Sequence, residues 1–160
     1  MKKLYLSLGS NLGDRADNLA NARDRLAAAG IRILRVSSIY ETAPRDVPDQ
    51  PMFLNQVVEA ETALFPRQVL SRLQKIERAV GRKRTIAKGP RIVDIDILLF
   101  GESVISTQDL EVPHPRMMER RFVLEPLAEL APDLRHPIVN RSVREMLAKV
   151  SDQHVRRFSE

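Results

Sequence analysis

Cysteine and tryptophan are both missing from the 160 residues of this chain. Without thiols it holds neither a disulfide nor a thiolate zinc site. Its aromatics are five phenylalanines and two tyrosines. No apolar run approaches the roughly 20 residues of a membrane-spanning helix. The opening Met1-Lys2-Lys3 has the basic tip of an export signal, but the apolar run after it is brief and Asp14 and Arg15 follow. It reads as a strand, and a cytoplasmic protein is expected. A compact chain of this size buries roughly 70% of the surface its unfolded form exposes, enough for one core without covalent staples.

What is present is a localised charge. The formal net charge is +5, and between Lys75 and Arg91 seven basic residues (Lys75, Arg78, Arg82, Lys83, Arg84, Lys88, Arg91) face Glu77 alone. The rest of the chain is therefore close to neutral. A basic excess confined to one segment suits a concentrated anion such as a polyphosphate better than a broad nucleic-acid footprint.

Leu4, Leu6 and Leu8 alternate with Tyr5 and Ser7, which predicts a first strand ending at Gly9. From Asp14, a suitable N-cap, Ala16, Leu19, Ala20, Arg23, Leu26 and Ala27 recur at helical spacing as far as Gly30. Residues 31–40 and 53–62 read as strands, joined by a proline-rich connection, Ala43 to Pro51, long enough to suggest function. A second helix starts at Pro66 and closes at Gly81, and a fourth strand over 92–100 sets Val93, Ile95, Ile97 and Leu99 on one side. The order strand, helix, strand, strand, helix, strand predicts an α+β, ferredoxin-like (split βαβ), antiparallel-rich sheet with helices packed on one face. A helix near 122–131 with Pro126 close to its start, a capping box at Ser142–Glu145 and a loose polar tail from Ser151 follow. One domain over residues 1–150, with residues 151–160 as tail, is the expected organisation.

The most specific chemistry lies in Lys88-Gly89-Pro90-Arg91-Ile92-Val93-Asp94-Ile95-Asp96. Residues two apart on a strand share a face about 6.6–7 Å apart, so Asp94 and Asp96 point together while Ile95 enters the core. Converging carboxylates repel unless a cation or a proton lies between them, and their hard oxygens suit Mg²⁺ completed by water and phosphate. Arg82, Arg84, Lys88 and Arg91 directly upstream make a metal–polyphosphate site the natural reading. Gly9-Ser10-Asn11-Leu12-Gly13 has neither the dinucleotide nor the P-loop spacing and reads first as a tight strand-to-helix turn. His114 is held between Pro113 and Pro115, a rigid mount for a donor; His136 and His154 are assigned no role. Phe53 and Asn55 share a strand face, and with Phe122 they would suit a flat, hydrogen-bonding heterocycle.

In Gly89-Pro90-Arg91-x-x-Asp94-x-Asp96-Ile97-Leu98 the chain resembles the 6-hydroxymethyl-7,8-dihydropterin pyrophosphokinases of folate biosynthesis. Gly9-Ser10-Asn11, Thr42-x-Pro44, Phe53-Leu54-Asn55, Gln74-x-x-Glu77, Gly81-Arg82 and Val112-Pro113-His114 support the likeness in the same order. The resemblance implies a monomer that moves the β,γ-pyrophosphoryl unit of ATP onto the pterin's hydroxymethyl group and releases AMP. It implies two Mg²⁺ ions on Asp94 and Asp96, and assistance to transfer from Arg82 and Arg91. ATP contacts would come from Gln74, Glu77, Arg84, Ile97, His114 and Arg120, and the pterin pocket from Thr42, Ala43, Phe53, Asn55 and Phe122. Departures from the pattern are Lys88 where a tryptophan is frequent, Phe53 for a tyrosine, and Asp109 and Glu111 where basic or hydroxyl residues are usual. No nucleic-acid or membrane partner is implied. An RNA-binding module of the same fold would need aromatics on its central strands, which here carry aliphatics and aspartates. A nucleotide-sugar transferase also uses Asp-x-Asp with a metal, but on a larger domain.

Overall fold

The structure is a computed structural model that describes residues 1–43, 52–81 and 92–159. The basic run from Arg82 to Arg91 and most of the proline-rich connection, residues 44–51, lie outside the described residues. The chain alternates β1 (Lys2–Ser10), α1 (Arg15–Ala28), β2 (Arg32–Val36), β3 (Tyr40–Thr42), β4 (Phe53–Thr62), α2 (Pro66–Val80) and β5 (Asp94–Phe100). A short ribbon of β6 (Ile105–Ser106) and β7 (Glu111–Val112), then α3 (Arg121–Leu130), α4 (Val143–Ala148) and β8 (Arg156–Arg157), complete it. The main sheet has the order β5-β1-β4-β3-β8, with β2 also on β4, and every pairing in it is antiparallel.

The helix boundaries follow from local chemistry. The Asp14 carboxylate accepts from the Asp17 N–H to open α1, and Gly30, at φ +86°, turns the chain out of it. Pro66 takes the first position of α2, where an N–H would have no helical partner. The Ser142–Glu145 capping box opens α4 as its sequence predicts. Arg23, the one polar residue on the apolar stripe of α1, donates to Gln56 Oε1 at 2.6 Å, and Gln56 in turn donates to the Ser37 carbonyl.

Several expectations need correction. The helices do not all lie on one face. Leu4, Leu6 and Leu8 pack with Leu19, Leu26, Val69 and Leu73 of α1 and α2, whereas Tyr5, Val57, Leu98 and Leu99 pack with Val123, Leu124, Leu127 and Met146 of α3 and α4. Leu99 changes sides because Leu6 pairs with Ile97 while Tyr5 pairs with Leu99, leaving Leu98 as an extra residue in a bulge. The single strand expected over 31–40 divides into β2 and β3 at residues 37–39, where Ser37 bonds Val57 through both its N–H and its hydroxyl. Pro126 sits inside α3, not near its start, and its ring is buried. The tail is not loose at residues 156–158: β8 pairs with β3, the Phe158 N–H donates to the Ile39 carbonyl, and its ring packs on the core. Among the described residues no helix is long and apolar enough to cross a membrane.

His136, set aside on sequence, is buried, and its Nδ1 accepts from the N–H groups of Ile138 and Val139 at 3.2 and 3.4 Å. Burial pushes its pKa below the ordinary 6.5. An imidazole lowered in the folded state binds protons more readily when unfolded. Its stabilising effect is complete above 6.5 and is lost as pH falls from there through the depressed native value. Denaturant unfolding should show stability declining from pH 7 to pH 5, with a shallower decline in His136→Gln; an identical slope in both proteins would exclude this group.

Candidate active site

Three neighbouring strands make the floor of one cleft. Gly9 pairs with Asp94 on one side and Asn55 on the other, and in the next row Ser7 lies between Asp96 and Val57. These residues occupy the sheet face opposite Leu6 and Leu8, where period two turns the apolar residues into the core. Two strand spacings, about 9.5 Å, separate the Asp94 and Asn55 backbones, so one small molecule can reach both sides. The cleft has a volume of about 290 Å³, comparable with small-ligand pockets. Thr42, Ala43 and Phe53 line one end, and His114, Arg116, Arg120, Phe122 and Val123 line the wall above the floor.

At the end lined by Thr42 and Phe53, Asn55 is only 4% exposed, and its Nδ2 has no hydrogen-bond partner among the described residues. A buried amide nitrogen without a partner costs roughly 1–3 kcal/mol, which a ligand acceptor would recover. Gly9 makes room for that side chain: a Cβ there would stand 3.1 Å from Asn55 Oδ1 and 4.0 Å from Phe53 Cδ1. Gly9 is therefore a paired strand residue on the cleft floor, not part of the strand-to-helix turn, and β1 continues to Ser10. The Arg120 guanidinium lies 5.5 Å from the centre of the Phe122 ring.

At the other end Asp94 is partly buried and the Asp96 side chain is 50% exposed. His114 Nδ1 accepts from the Arg116 N–H at 3.1 Å, so a neutral ring carries its proton on Nε2, which lies 4.0 Å from Asp96 Oδ2. Burial lowers the His114 pKa and outweighs the opposing pull of the Asp96 carboxylate. The backbone N–H of His114 bonds the Leu98 carbonyl at 2.9 Å, fixing the ring's mount to the bulge in β5. Among the described residues no group of three or more His, Cys or acidic side chains gathers around a possible ion. Asp94 and Asp96 would hold Mg²⁺ with the remaining positions taken by phosphate and water, the arrangement this ion prefers, so the donor set fits.

Of the residues singled out on sequence, Thr42, Ala43, Phe53, Asn55, Asp94, Asp96, His114, Arg120 and Phe122 line this one cleft. Gln74, Glu77 and Ile97 do not. Gln74 is exposed on α2, and Glu77 Oε2 accepts from the Ile95 N–H on the open edge of β5 at 2.8 Å. The Ile97 side chain is in the core, which leaves its backbone as the part a ligand can meet. Arg82, Arg84 and Arg91 lie outside the described residues. Sequence reasoning missed Ser7, Leu98, Arg116 and Val123 in the lining. Ser7 was accessible from alternation with Leu6 and Leu8, but its neighbour Asp96 becomes visible only through strand register. Asp109 is engaged elsewhere: Arg67 donates to both its oxygens at 2.9 and 2.8 Å, and Thr107 donates to one of them.

Comparison with known proteins places the chain in a family. Residues 5–132 match the family model described as 7,8-dihydro-6-hydroxymethylpterin-pyrophosphokinase (HPPK). The chain is 45% identical over 158 residues to the 2-amino-4-hydroxy-6-hydroxymethyldihydropteridine pyrophosphokinase of Methylorubrum extorquens, covering 98% of this chain and 99% of that one. Against the enzyme of the same name from Bacillus subtilis identity is 50% over 127 residues, 79% of this chain and 76% of that one. It is also 44% identical over 159 residues to the Folic acid synthesis protein fol1 of Schizosaccharomyces pombe, where 99% of this chain spans only 22% of the longer protein. A Plasmodium falciparum HPPK-DHPS crystal structure shares the fold, with a TM-score of 0.75 at 17% identity over 95% of this chain and 44% of that one. On the extent of these matches, this chain belongs to the 7,8-dihydro-6-hydroxymethylpterin-pyrophosphokinase family.

Proposed function

We propose that the chain transfers the β,γ-pyrophosphoryl group of ATP to the hydroxymethyl group of 6-hydroxymethyl-7,8-dihydropterin, a step of folate biosynthesis. The carrying observation is a single cleft, in a member of this family, whose floor joins a buried amide nitrogen, without a hydrogen-bond partner among the described residues, to a pair of carboxylates. In the reaction the hydroxymethyl oxygen bonds to the β-phosphorus, the bond from that phosphorus to the α–β bridging oxygen breaks, the hydroxyl proton is lost and AMP departs. Asn55 binds the edge of the pterin, with Phe53 and Phe122 against its faces. Thr42 and Ala43 complete that end. Asp94 and Asp96 hold two Mg²⁺ ions, which when bound neutralise the phosphates and acidify the attacking hydroxyl. His114 offers Nε2–H to a phosphate oxygen, and Arg120 adds positive charge beside it. Gln74, Glu77, Arg84 and the backbone of Ile97 receive the rest of ATP, and Arg82 and Arg91 assist transfer.

The antiparallel order β5-β1-β4-β2 with α1 and α2 on one face supports a ferredoxin-like, split βαβ unit, within a catalytic domain over residues 1–150. The reading carries with it a cytoplasmic monomer acting on small molecules.

The test is product identity. Incubation with ATP, Mg²⁺ and the hydroxymethylpterin should release AMP in step with pterin pyrophosphate; release of ADP would mean simple phosphoryl transfer and defeat the reading. Gly9→Ala should keep the fold, because the Gly9 backbone has no positive φ, but displace the Asn55 amide by a few tenths of an ångström. The KM for pterin is expected to rise by about threefold to tenfold, with the KM for ATP unchanged. Equal KM values for pterin in the two proteins would show that this close approach has no part in binding.

A further inference from the structure

The edge of the cleft formed by Thr42 and Phe53 is held from behind by a charged cluster that does not line it. Thr42 and Phe53 are register partners at the ends of β3 and β4. Glu41, beside Thr42, is buried, and its two oxygens are taken by arginines from opposite ends of the chain. Arg15, at the start of α1, donates to Oε2 at 2.9 Å, and Arg156, in β8, donates to Oε1 through Nη2 at 2.7 Å and Nε at 3.2 Å. The same Arg15 nitrogen also donates to the carbonyl of Met52 at 2.9 Å, the residue before Phe53. One guanidinium thus ties together the strand end that carries Thr42 and the strand start that carries Phe53.

The C-terminal segment adds one hydrogen bond and one cation–π contact at the same place. Thr42 Oγ1 donates to the His154 carbonyl at 3.2 Å, and Phe158 lies beneath Arg15 with 5.5 Å from the guanidinium carbon to the ring centre. β3 is only three residues long, and pairing with β8 covers its outer edge. Arg156 has a side chain 71% exposed, so its ion pair contributes little to folding. Its two-nitrogen contact with one carboxylate oxygen nevertheless restricts where Glu41 and its neighbour Thr42 can sit.

We propose that Glu41, Arg15 and Arg156 are positioning residues for pterin recognition, and that the segment carrying Arg156 sets the shape of the heterocycle end of the cleft. This inference rests on the pyrophosphokinase reading. It predicts an effect on one substrate only, because Thr42 and Phe53 lie at the end of the cleft away from Asp96 and His114.

Steady-state kinetics with each substrate varied in turn, on wild type, Arg156→Ala, Arg156→Lys and Glu41→Gln, tests it. Arg156→Ala should raise the KM for pterin about tenfold, the size of one hydrogen bond to a charged group, while kcat and the KM for ATP stay within about twofold. Arg156→Lys, which keeps the charge and loses the fork, should fall between wild type and Arg156→Ala. A merely structural role would instead lower the melting temperature and the active fraction without separating the two KM values. An unchanged KM for pterin in Arg156→Ala and Glu41→Gln, both folded, overturns the inference and leaves the pyrophosphokinase reading standing. Should Arg156→Ala fail to fold, Arg156→Lys decides alone, and a wild-type KM for pterin in that protein overturns the inference. Absence of AMP release by the wild type overturns both.

Discussion

Asp94→Ala and Asp96→Ala are each expected to lower kcat/KM by about a thousandfold or more, since each removes half of the carboxylate pair that the proposed reaction sets against the phosphates. The fold should survive both changes. The core side of β5 is carried by Ile95, Ile97 and Phe100, and its pairing with β1 runs through the backbone. Asn substitutions sharpen the test, because they keep the shape and one oxygen while removing the charge. They should recover little activity at any Mg²⁺ concentration. Near wild-type turnover by either alanine variant, with normal melting, would remove these residues from the metal site.

The second large effect is expected at Asn55. Asn55→Ala deletes a buried nitrogen that has no hydrogen-bond partner among the described residues, so it should leave stability unchanged or slightly raised. Pterin affinity should nevertheless fall by about tenfold to a hundredfold, because the polar edge of the ring would be left facing a hydrocarbon surface. Phe53→Leu should cost less, roughly threefold to tenfold, the value of aromatic stacking beyond simple burial. Neither change should alter ATP affinity measured without pterin. Calorimetric titration of both variants with pterin and an ATP analogue distinguishes these outcomes. Normal pterin binding by Asn55→Ala would defeat the pocket assignment while leaving the prediction for Asp94 and Asp96 intact.

The opposite effects expected at Asn55 on stability and on binding have a common cause. A donor kept dry and unpaired is a cost to the folded protein, and it becomes useful only when a ligand supplies the acceptor. Gly9 contributes to the same arrangement by leaving out a side chain, at the point where a Cβ would press on the Asn55 oxygen.

The sequence by itself determined the features that depend on near neighbours. Period two was enough to set Asp94 and Asp96 on one face and Phe53 with Asn55 on one face, because alternation is a property of any extended strand. Asp14 and the Ser142–Glu145 pair marked helix starts through bonds that span three residues, and Pro66 marked one through the N–H it lacks. Only the tertiary structure decided the rest, because it turns on register and on contacts distant in the chain. Leu99 left the side its alternation assigned because one extra residue, Leu98, entered the β1–β5 ladder. The row Asp94–Gly9–Asn55 exists only once β1 lies between β5 and β4, and Phe122 joins Phe53 at the cleft because α3 packs on the face away from α1 and α2. The polar composition of residues 151–160 suggests a loose tail, but an edge strand with unpaired backbone groups and a buried carboxylate at Glu41 supplied partners that no local pattern could announce.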